Sequence, residues 1–178
     1  IYTLSVILER LMSRIPPRIP NWRADVTTLT PLPPQRMQDW LLKPFVLSQS
    51  LKKHCASLSV DVLNQSQGIF APDEATSFER IDHNQTQEAW IREVNICGDQ
   101  EPWCFARVVM PIKTYQNHQD KFNRLKNQLL GEKLLYDNPD VTRGKFEYAE
   151  ITPEHPLFPK SYNSINSLWA RRSVFMMK

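Results

Sequence analysis

The chain has 178 residues, of which 41% are hydrophobic and 23% charged, and its formal net charge is +3. This length suits one domain with a substantial core, and the modest charge without a Lys/Arg block does not indicate a nucleic-acid partner. No uninterrupted apolar run approaches a membrane span, so we expect no membrane association. Because the cysteines and histidines lack ligand spacing, we also expect neither a metal site nor a disulfide scaffold.

Residues 1–33 are predicted to form a lead-in to a main domain at 34–178. Four apolar side chains near the start share one helical face and predict a short amphipathic helix: Leu4, Ile7, Leu8 and Leu11. Nearby charges make this stretch too polar for the apolar core of a signal peptide. A proline-rich segment follows. Since the first residue is Ile rather than Met, we expect a fragment or a processed form.

The first part of the main domain predicts short helices and one strand. Residues 34–42 and 48–55 read as helices, with Pro44 between them. Residues 58–63 alternate in polarity as a strand does, whereas 64–85 read as loop and edge structure.

The stretch at 90–109 predicts a β-hairpin, because two runs rich in β-branched and aromatic residues flank a Gly-Asp turn. Side chains alternate between the two faces of a strand, so Trp90, Arg92, Val94 and Ile96 share one face. A guanidinium among apolar neighbours requires an anion or another partner. Arg92 is therefore a candidate for binding a small acid. Alternatively, Arg92 extends to the sheet edge or pairs with an internal Asp or Glu.

After the hairpin, the amphipathic pattern at 118–136 predicts the strongest helix. Weak alternation at 143–151 and stronger alternation at 168–177 predict further strands, and 152–165 reads as an exposed loop. Antiparallel pairing and the lack of a glycine-rich strand-to-helix turn favour the α+β class. We therefore predict a single domain in which helices pack on an antiparallel β-sheet.

Several segments, taken together, resemble the chorismate lyase family. The hairpin blocks are Trp-Ile-Arg-Glu-Val at 90–94, Cys-Gly-Asp at 97–99, Pro-Trp at 102–103 and Ala-Arg-Val-Val at 106–109. Later blocks are Leu-Leu-Gly-Glu-Lys-Leu-Leu at 129–135, Val-Thr-Arg at 141–143, Phe-Glu at 146–147 and Leu-Trp-Ala-Arg-Arg-Ser at 168–173. Earlier blocks are Asp-Trp-Leu-Leu at 39–42 and Leu-Ser at 47–48. These blocks follow the family's order from about residue 34 to 178.

The resemblance implies conversion of chorismate to 4-hydroxybenzoate and pyruvate, the first step of ubiquinone biosynthesis, without metal or organic cofactor. By position, Arg92 would clamp the ring carboxylate in a bidentate fork, and Leu47 and Leu130 would form apolar walls. Segments 43–50 and 112–120 would be flaps that limit product release. Three further arginines in matching blocks are interpreted as fold and rim electrostatics: Arg143, Arg171 and Arg172.

The chain departs from the family pattern at its last residues. In the family, a turn and one more strand follow the Trp-x-Arg-Arg-Ser block, and that strand carries the Glu that acts as the acid. Here the sequence ends at Lys178, before that turn. We therefore identify no catalytic residue in this sequence and expect little lyase activity from this polypeptide alone. We also expect an exposed hydrophobic edge at 168–177.

Two other functions are compatible with the same residues. A non-enzymatic domain that binds small aromatic or sugar acids, similar to the effector domains of bacterial regulators, would keep the Arg92 clamp without the acid. A purely structural domain would satisfy Arg92 internally. For the lyase interpretation, we expect a cytoplasmic monomer.

Overall fold

The computed structural model describes residues 2–5, 19–43, 47–79, 87–132, 138–155, 158, 162 and 165–177, with the backbone alone at 2–5. Its helices are α1 (Gln35–Leu41), α2 (Leu47–Leu51), α3 (Pro72–Glu79) and α4 (Ile112–Asn123). Its strands are β1 (Tyr2–Ser5), β2 (Leu58–Ile69), β3 (Glu88–Gly98), β4 (Glu101–Pro111), β5 (Val141–Arg143), β6 (Glu147–Ile151), β7 (Leu168–Arg172) and β8 (Val174–Met177). The predicted α+β class is confirmed.

The strands form two antiparallel sheets. The main sheet has six strands in the order β2-β3-β4-β1-β8-β5, and β6 and β7 form a second sheet. Because β3 and β4 lie inside the main sheet and are covered on both faces, their side chains are buried almost throughout. This central hairpin is the frame on which the site is built.

The predicted hairpin at 90–109 is confirmed, and its connection is a two-residue turn. Asp99 and Gln100 have φ values of 50° and 72°, and positive φ at both central positions matches a type I′ turn. That turn has the twist of the flanking strands, which explains its use here. Gly98 beside it is required, because a Cβ there would lie 2.4 Å from the Trp103 ring.

A β-bulge shifts the pairing of the edge strand β2. Val62 pairs with Val94, but the next pair is Asn64 with Glu93, so Leu63 is the extra residue. Since one inserted residue exchanges the two faces of a strand, the part of β2 beyond the bulge presents a different set of side chains to the core. Gln65 is thereby placed opposite Arg92.

One face of the main sheet is covered by α1, α2 and α4. Next to α4, Trp90 stacks on Tyr115 and meets Phe122 edge-on, with both ring-centroid distances at 5.1 Å. Beside α1 and α2, Leu51 packs with Val94 and other apolar side chains of β2, β3 and β4. The candidate site lies on this face.

The opposite face is covered by α3 and carries buried charges. Phe78 of α3 packs with apolar residues of β3 and β4. Arg107 of β4 lies beside them and donates to Glu74 at 2.7 Å and to Glu93 at 2.6 Å. Burial of three charges requires such pairing, because an isolated charge in an apolar interior is very costly.

Several expectations about local structure were wrong in whole or in part. Residues 2–5 form a strand rather than a helix, since they pair with both β4 and β8; residues 6–18 lie outside the described residues. The interval 64–85 contains the end of the edge strand β2, as expected, but also all of α3, which was not expected; residues 80–85 lie outside the described residues. The predicted helix at 118–136 is interrupted: α4 (Ile112–Asn123) ends before a turn at 124–127, where Lys126 has a φ of 44°, residues 130–132 are helical again, and 133–136 lie outside the described residues.

The predicted strand at 168–177 is two strands in different sheets, and this changes the expected exposed edge. The strand is interrupted at Ser173: β7 pairs with β6, while β8 lies between β1 and β5. The expectation of an unpaired edge is therefore wrong for β8, which has a neighbour on both sides. The lead-in also contacts the main domain, since Arg23 forms a bridge with Tyr148. A domain boundary at residue 34 stays a prediction.

Candidate functional site

A cavity of about 1120 Å³ lies against the helix-covered face of the central hairpin. Its walls come from α1, α2, β3, β4, the segment 128–132 and β7. Most of the lining is apolar, and it includes Leu47, Leu51, Val94, Ile96, Ala106, Leu130 and Phe146. A concave apolar cavity with a few polar groups is the usual form of a small-molecule site.

Arg92 is a buried cation of this cavity. Its residue surface is only 2% exposed, and burial lowers the pKa of the guanidinium. Nη1 donates to Gln65 Oε1 at 2.5 Å, and Nη2 donates to the carbonyl oxygens of Lys126 and Gln128 at 2.6 and 3.2 Å. All three acceptors are neutral. The positive charge of Arg92 therefore has no counter-charge among its hydrogen-bond partners.

These contacts bear on each alternative left open by the sequence, and they match internal satisfaction of Arg92, because Gln65 and two backbone carbonyls accept from it. Arg92 does not extend to the sheet edge, because it is buried between β2 and β4. Within the described part of the chain, it also forms no ion pair with an Asp or Glu. A buried guanidinium that is held only by neutral acceptors can still gain from an anionic ligand.

Two local features hold Arg92 in place. The bulge at Leu63 brings Gln65 across from it, and the turn after α4 brings two backbone carbonyls to its other amino group. Lys126 adopts the left-handed region in that turn, at a φ of 44° that is uncommon for a non-glycine residue. Neither feature could be predicted from the sequence, since neither a bulge nor a left-handed Lys has a strong local motif.

The structure brings the three predicted substrate-binding residues to one cavity. Leu130 is buried and Leu47 half-buried, and both line the cavity together with Arg92. Leu47 begins α2, while Leu130 lies in the segment that follows the turn after α4. Of the two predicted flaps, 112–120 belongs to α4, and 43–50 includes residues 44–46, which lie outside the described residues.

A polar contact that the sequence did not predict joins the two apolar walls. Ser48 Oγ donates to Glu132 Oε1 at 2.5 Å, and Lys52 Nζ donates to the same carboxylate at 2.9 and 3.1 Å. Ser48 directly follows Leu47, and Glu132 lies two residues after Leu130. We call this Ser48–Glu132–Lys52 group the clasp.

The charged residues that line the cavity are mostly cations. Glu132 is the one carboxylate among the described lining residues, whereas five arginines line it: Arg36, Arg92, Arg143, Arg171 and Arg172. Arg172 is neutralised in part by Glu147, which accepts from its Nε at 2.8 Å. The excess of positive charge favours an anionic ligand in this cavity.

Arg171 also has a structural role. Its Nη1 donates to the carbonyl oxygens of Leu41 and Lys43 at 2.9 and 2.6 Å, which ties β7 to the end of α1. The guanidinium groups of Arg143 and Arg171 each lie 4.5 Å from the centre of the Phe146 ring, a cation–π distance. These contacts agree with the interpretation of both residues as fold and rim electrostatics.

Within the described ranges, no group of three or more His, Cys, Asp and Glu side chains is arranged to hold a metal ion. No helix among the same residues is long and apolar enough to cross a membrane.

Comparison with known proteins gives consistent matches. The profile of the family described as chorismate lyase matches residues 12–178. A probable chorismate pyruvate-lyase of Shewanella loihica is 38% identical over 149 residues, which cover 81% of this chain and 74% of the relative. One from Shewanella frigidimarina is 36% identical, with 81% and 76% covered. The chorismate pyruvate-lyase of Pectobacterium carotovorum is 27% identical, with 86% and 75% covered.

Proposed function

The chain belongs to the chorismate lyase family, and we propose that it converts chorismate to 4-hydroxybenzoate and pyruvate in the cavity beneath β3 and β4. Arg92 binds the ring carboxylate, and Leu47 and Leu130 enclose the ring from two sides. The single observation that supports these assignments is the guanidinium of Arg92, which is 2% exposed and, within the described part of the chain, donates to neutral acceptors alone.

The reaction requires only a few contributions from the protein. Loss of pyruvate from chorismate leaves an aromatic ring, so the protein must hold the substrate in a reactive pose and exclude water. An apolar cavity with one fixed cation meets the first requirement, because the carboxylate sets the orientation of the ring. The apolar walls meet the second. A proton must also leave the ring carbon, and we assign no described residue to that transfer.

The electrostatics of the cavity support an acidic ligand. Chorismate carries two carboxylates, and the lining holds five arginines and one glutamate among its described residues. Arg92 lies beside the apolar residues Val94 and Val108 of the lining, where a charge-assisted bidentate pair is strong. A carboxylate at Arg92 would compete with the carbonyl oxygens of Lys126 and Gln128 for Nη2. We therefore expect the turn at 124–128 to shift when the ligand binds.

The experiment that tests this function is calorimetric titration of the chain with 4-hydroxybenzoate, beside the variants Arg92→Ala and Arg124→Ala. Arg124 is exposed and outside the cavity lining, so it is the matched control. Removal of one partner of a desolvated charged pair costs about 2–5 kcal/mol, so Arg92→Ala should lose most of the binding. Unchanged affinity in Arg92→Ala would refute the assignment of Arg92.

A binding domain without catalysis is the second candidate function. It would bind a small acid through the same cavity and the same Arg92. The two functions differ in turnover. Release of pyruvate from chorismate, measured by a coupled assay, supports the lyase. Binding of 4-hydroxybenzoate by a folded chain that releases no pyruvate agrees with both functions, since we expect little lyase activity from this polypeptide alone. We further propose a cytoplasmic monomer. Sedimentation at several concentrations tests the monomer.

A further inference from the structure

The two apolar walls of the cavity belong to segments that are far apart in the sequence. Leu47 opens α2, and Leu130 follows the turn after α4. The clasp connects these segments through side chains, because the Ser48 and Lys52 donors of one segment meet the Glu132 acceptor of the other. The hydrogen-bonded residues are 84 and 80 positions apart in the chain. A contact of this kind holds the walls together only as long as the carboxylate keeps its donors.

The two arms of the clasp differ in strength. Ser48 is 6% exposed, so its hydrogen bond to Glu132 is sheltered from water and is charge-assisted. The side chain of Lys52 is 51% exposed, and an ion pair at such a site is weakened by solvent and by salt. The Ser48 arm is therefore the stronger of these two contacts. The Lys52 arm offsets part of the carboxylate charge, which disfavours an acidic ligand.

We propose that Glu132 is a positioning residue: through Ser48 and Lys52 it holds α2 against the Leu130 segment and thereby sets how fast a ligand enters and leaves the cavity. The identity of the ligand rests on the proposed function, whereas the clasp itself rests on the contacts of Glu132. The walls must separate before a ligand that they enclose can exchange with solvent, and separation breaks the Ser48 bond. Glu132 acts through the walls and not on the reacting atoms.

A gate has a kinetic signature that differs from that of a binding contact. If the closed state excludes exchange, a weaker clasp raises the rates of association and dissociation together. The equilibrium affinity then changes little. Loss of an ordinary contact with the ligand raises the dissociation rate alone, and the affinity falls accordingly. The two rates must therefore be measured separately.

The cavity contains its own optical probe, because Trp40, Trp103 and Trp169 line it. Stopped-flow fluorescence with 4-hydroxybenzoate as the probe ligand gives both rates in the full chain. We expect Ser48→Ala to raise each rate about tenfold, as the loss of a charge-assisted hydrogen bond predicts, with an affinity within about twofold of the original. Ser48→Thr keeps the hydroxyl and should keep the original rates.

Ser50→Ala, in the same helix and outside the clasp, should leave both rates unchanged. Glu132→Gln removes the charge and should raise both rates as Ser48→Ala does. It therefore replaces Ser48→Ala in the test if Ser48→Ala does not fold. Unchanged rates in both variants would overturn the proposal. A faster dissociation alone would assign Ser48 to ligand contact, and a loss of turnover at unchanged rates would assign Glu132 to the chemistry.

A second measurement does not depend on the ligand. Cys104 lines the cavity, and burial raises the pKa of its thiol to about 11. We expect methanethiosulfonate labelling of Cys104, followed by mass spectrometry of the digested chain, to be about tenfold faster in Ser48→Ala and Glu132→Gln. Absence of 4-hydroxybenzoate binding in the original chain would count against the proposed function, while equal labelling rates would count against the clasp.

Discussion

Gln65 on β2 lies directly opposite Arg92 on β3, and its side-chain oxygen accepts a hydrogen bond from the guanidinium. The pairing exists because the bulge at Leu63 moves the second half of β2 by one position. The same shift brings Asn64 to Glu93, whose carboxylate accepts from the Asn64 amide at 3.1 Å. One extra residue in an edge strand therefore supplies polar partners on both faces of β3.

Replacement of Gln65 by Leu should destabilise the chain by about 1–2 kcal/mol. The reason is that Arg92 Nη1 would lose its acceptor in a buried setting, and an unmade hydrogen bond of a buried charged group is costly. Urea denaturation gives the free energy of unfolding. Gln67→Leu, two residues along the same strand, is the control and should stay within about 0.5 kcal/mol. Equal effects of the two substitutions would contradict the role of Gln65.

The two apolar walls should differ in their contribution to stability. Leu130 is 7% exposed and belongs to the core beside α4, so Leu130→Ala should cost about 2–4 kcal/mol in the free energy of unfolding. Leu47 is half-buried, and Leu47→Ala should cost about 1 kcal/mol. Both substitutions should weaken 4-hydroxybenzoate binding in calorimetry. A larger stability loss at Leu47 than at Leu130 would be inconsistent with this description of the walls.

Replacement of Arg107 should strongly lower the free energy of unfolding, although Arg107 lies outside the cavity lining. Arg107→Met would leave Glu74, which is 0% exposed, and Glu93 without their shared cation. Breaking a buried ion pair from one side costs about 3–5 kcal/mol. The double variant Arg107→Met/Glu74→Leu should lose less than the sum of the single losses, because the unpaired carboxylate is removed too. Additive losses in urea denaturation would show that the two groups are not coupled.

The pH dependence of stability should include a contribution from Asp73. Burial raises the pKa of its carboxyl, but the charges of His155 and Arg172 and the hydrogen bond from Trp22 outweigh that effect, so the pKa lies below the ordinary value. His155 Nε2 lies 3.7 Å from Asp73 Oδ1, beyond hydrogen-bonding distance, so we treat its contribution as electrostatic. A lowered pKa means that the unfolded state binds the proton first.

The sign of the effect follows from that difference. Stability from Asp73 is fully present above the unfolded pKa of about 3.9 and is lost as the pH falls through the lower pKa of the folded state. Asp73→Asn should therefore lower stability near neutral pH and flatten the decline of stability below about pH 4. Thermal denaturation between pH 2 and 7 provides the measurement. A decline as steep in Asp73→Asn as in the original chain would exclude this contribution.

The elements that could be predicted from the sequence are those with a recognisable pattern among neighbouring residues. Alternation identified the hairpin and the face that carries Arg92, and the resemblance brought Leu47 and Leu130 to the same site. The predicted helix at 118–136 is interrupted after Asn123, because its apolar stripe continues through a turn whose carbonyls are held by Arg92, a contact across more than thirty residues. Gln65 and Glu132 were missed for the same reason. Their roles depend on a bulge and on a contact between distant segments, which no local pattern encodes.

The position of β1 has a consequence for how the protein reaches its fold. Residues 2–5 pair with β4 on one side and with β8 on the other, so Thr3 meets Val109 and Tyr2 meets Phe175. Such pairings close very long loops, and proteins rich in them have high contact order and fold slowly. Before β1 pairs during folding, the backbone groups of β4 and β8 that face it lack hydrogen-bond partners. Unpaired strand edges of this kind can pair with strands of other chains. The period before the sheet is complete is therefore when this protein is most exposed to self-association.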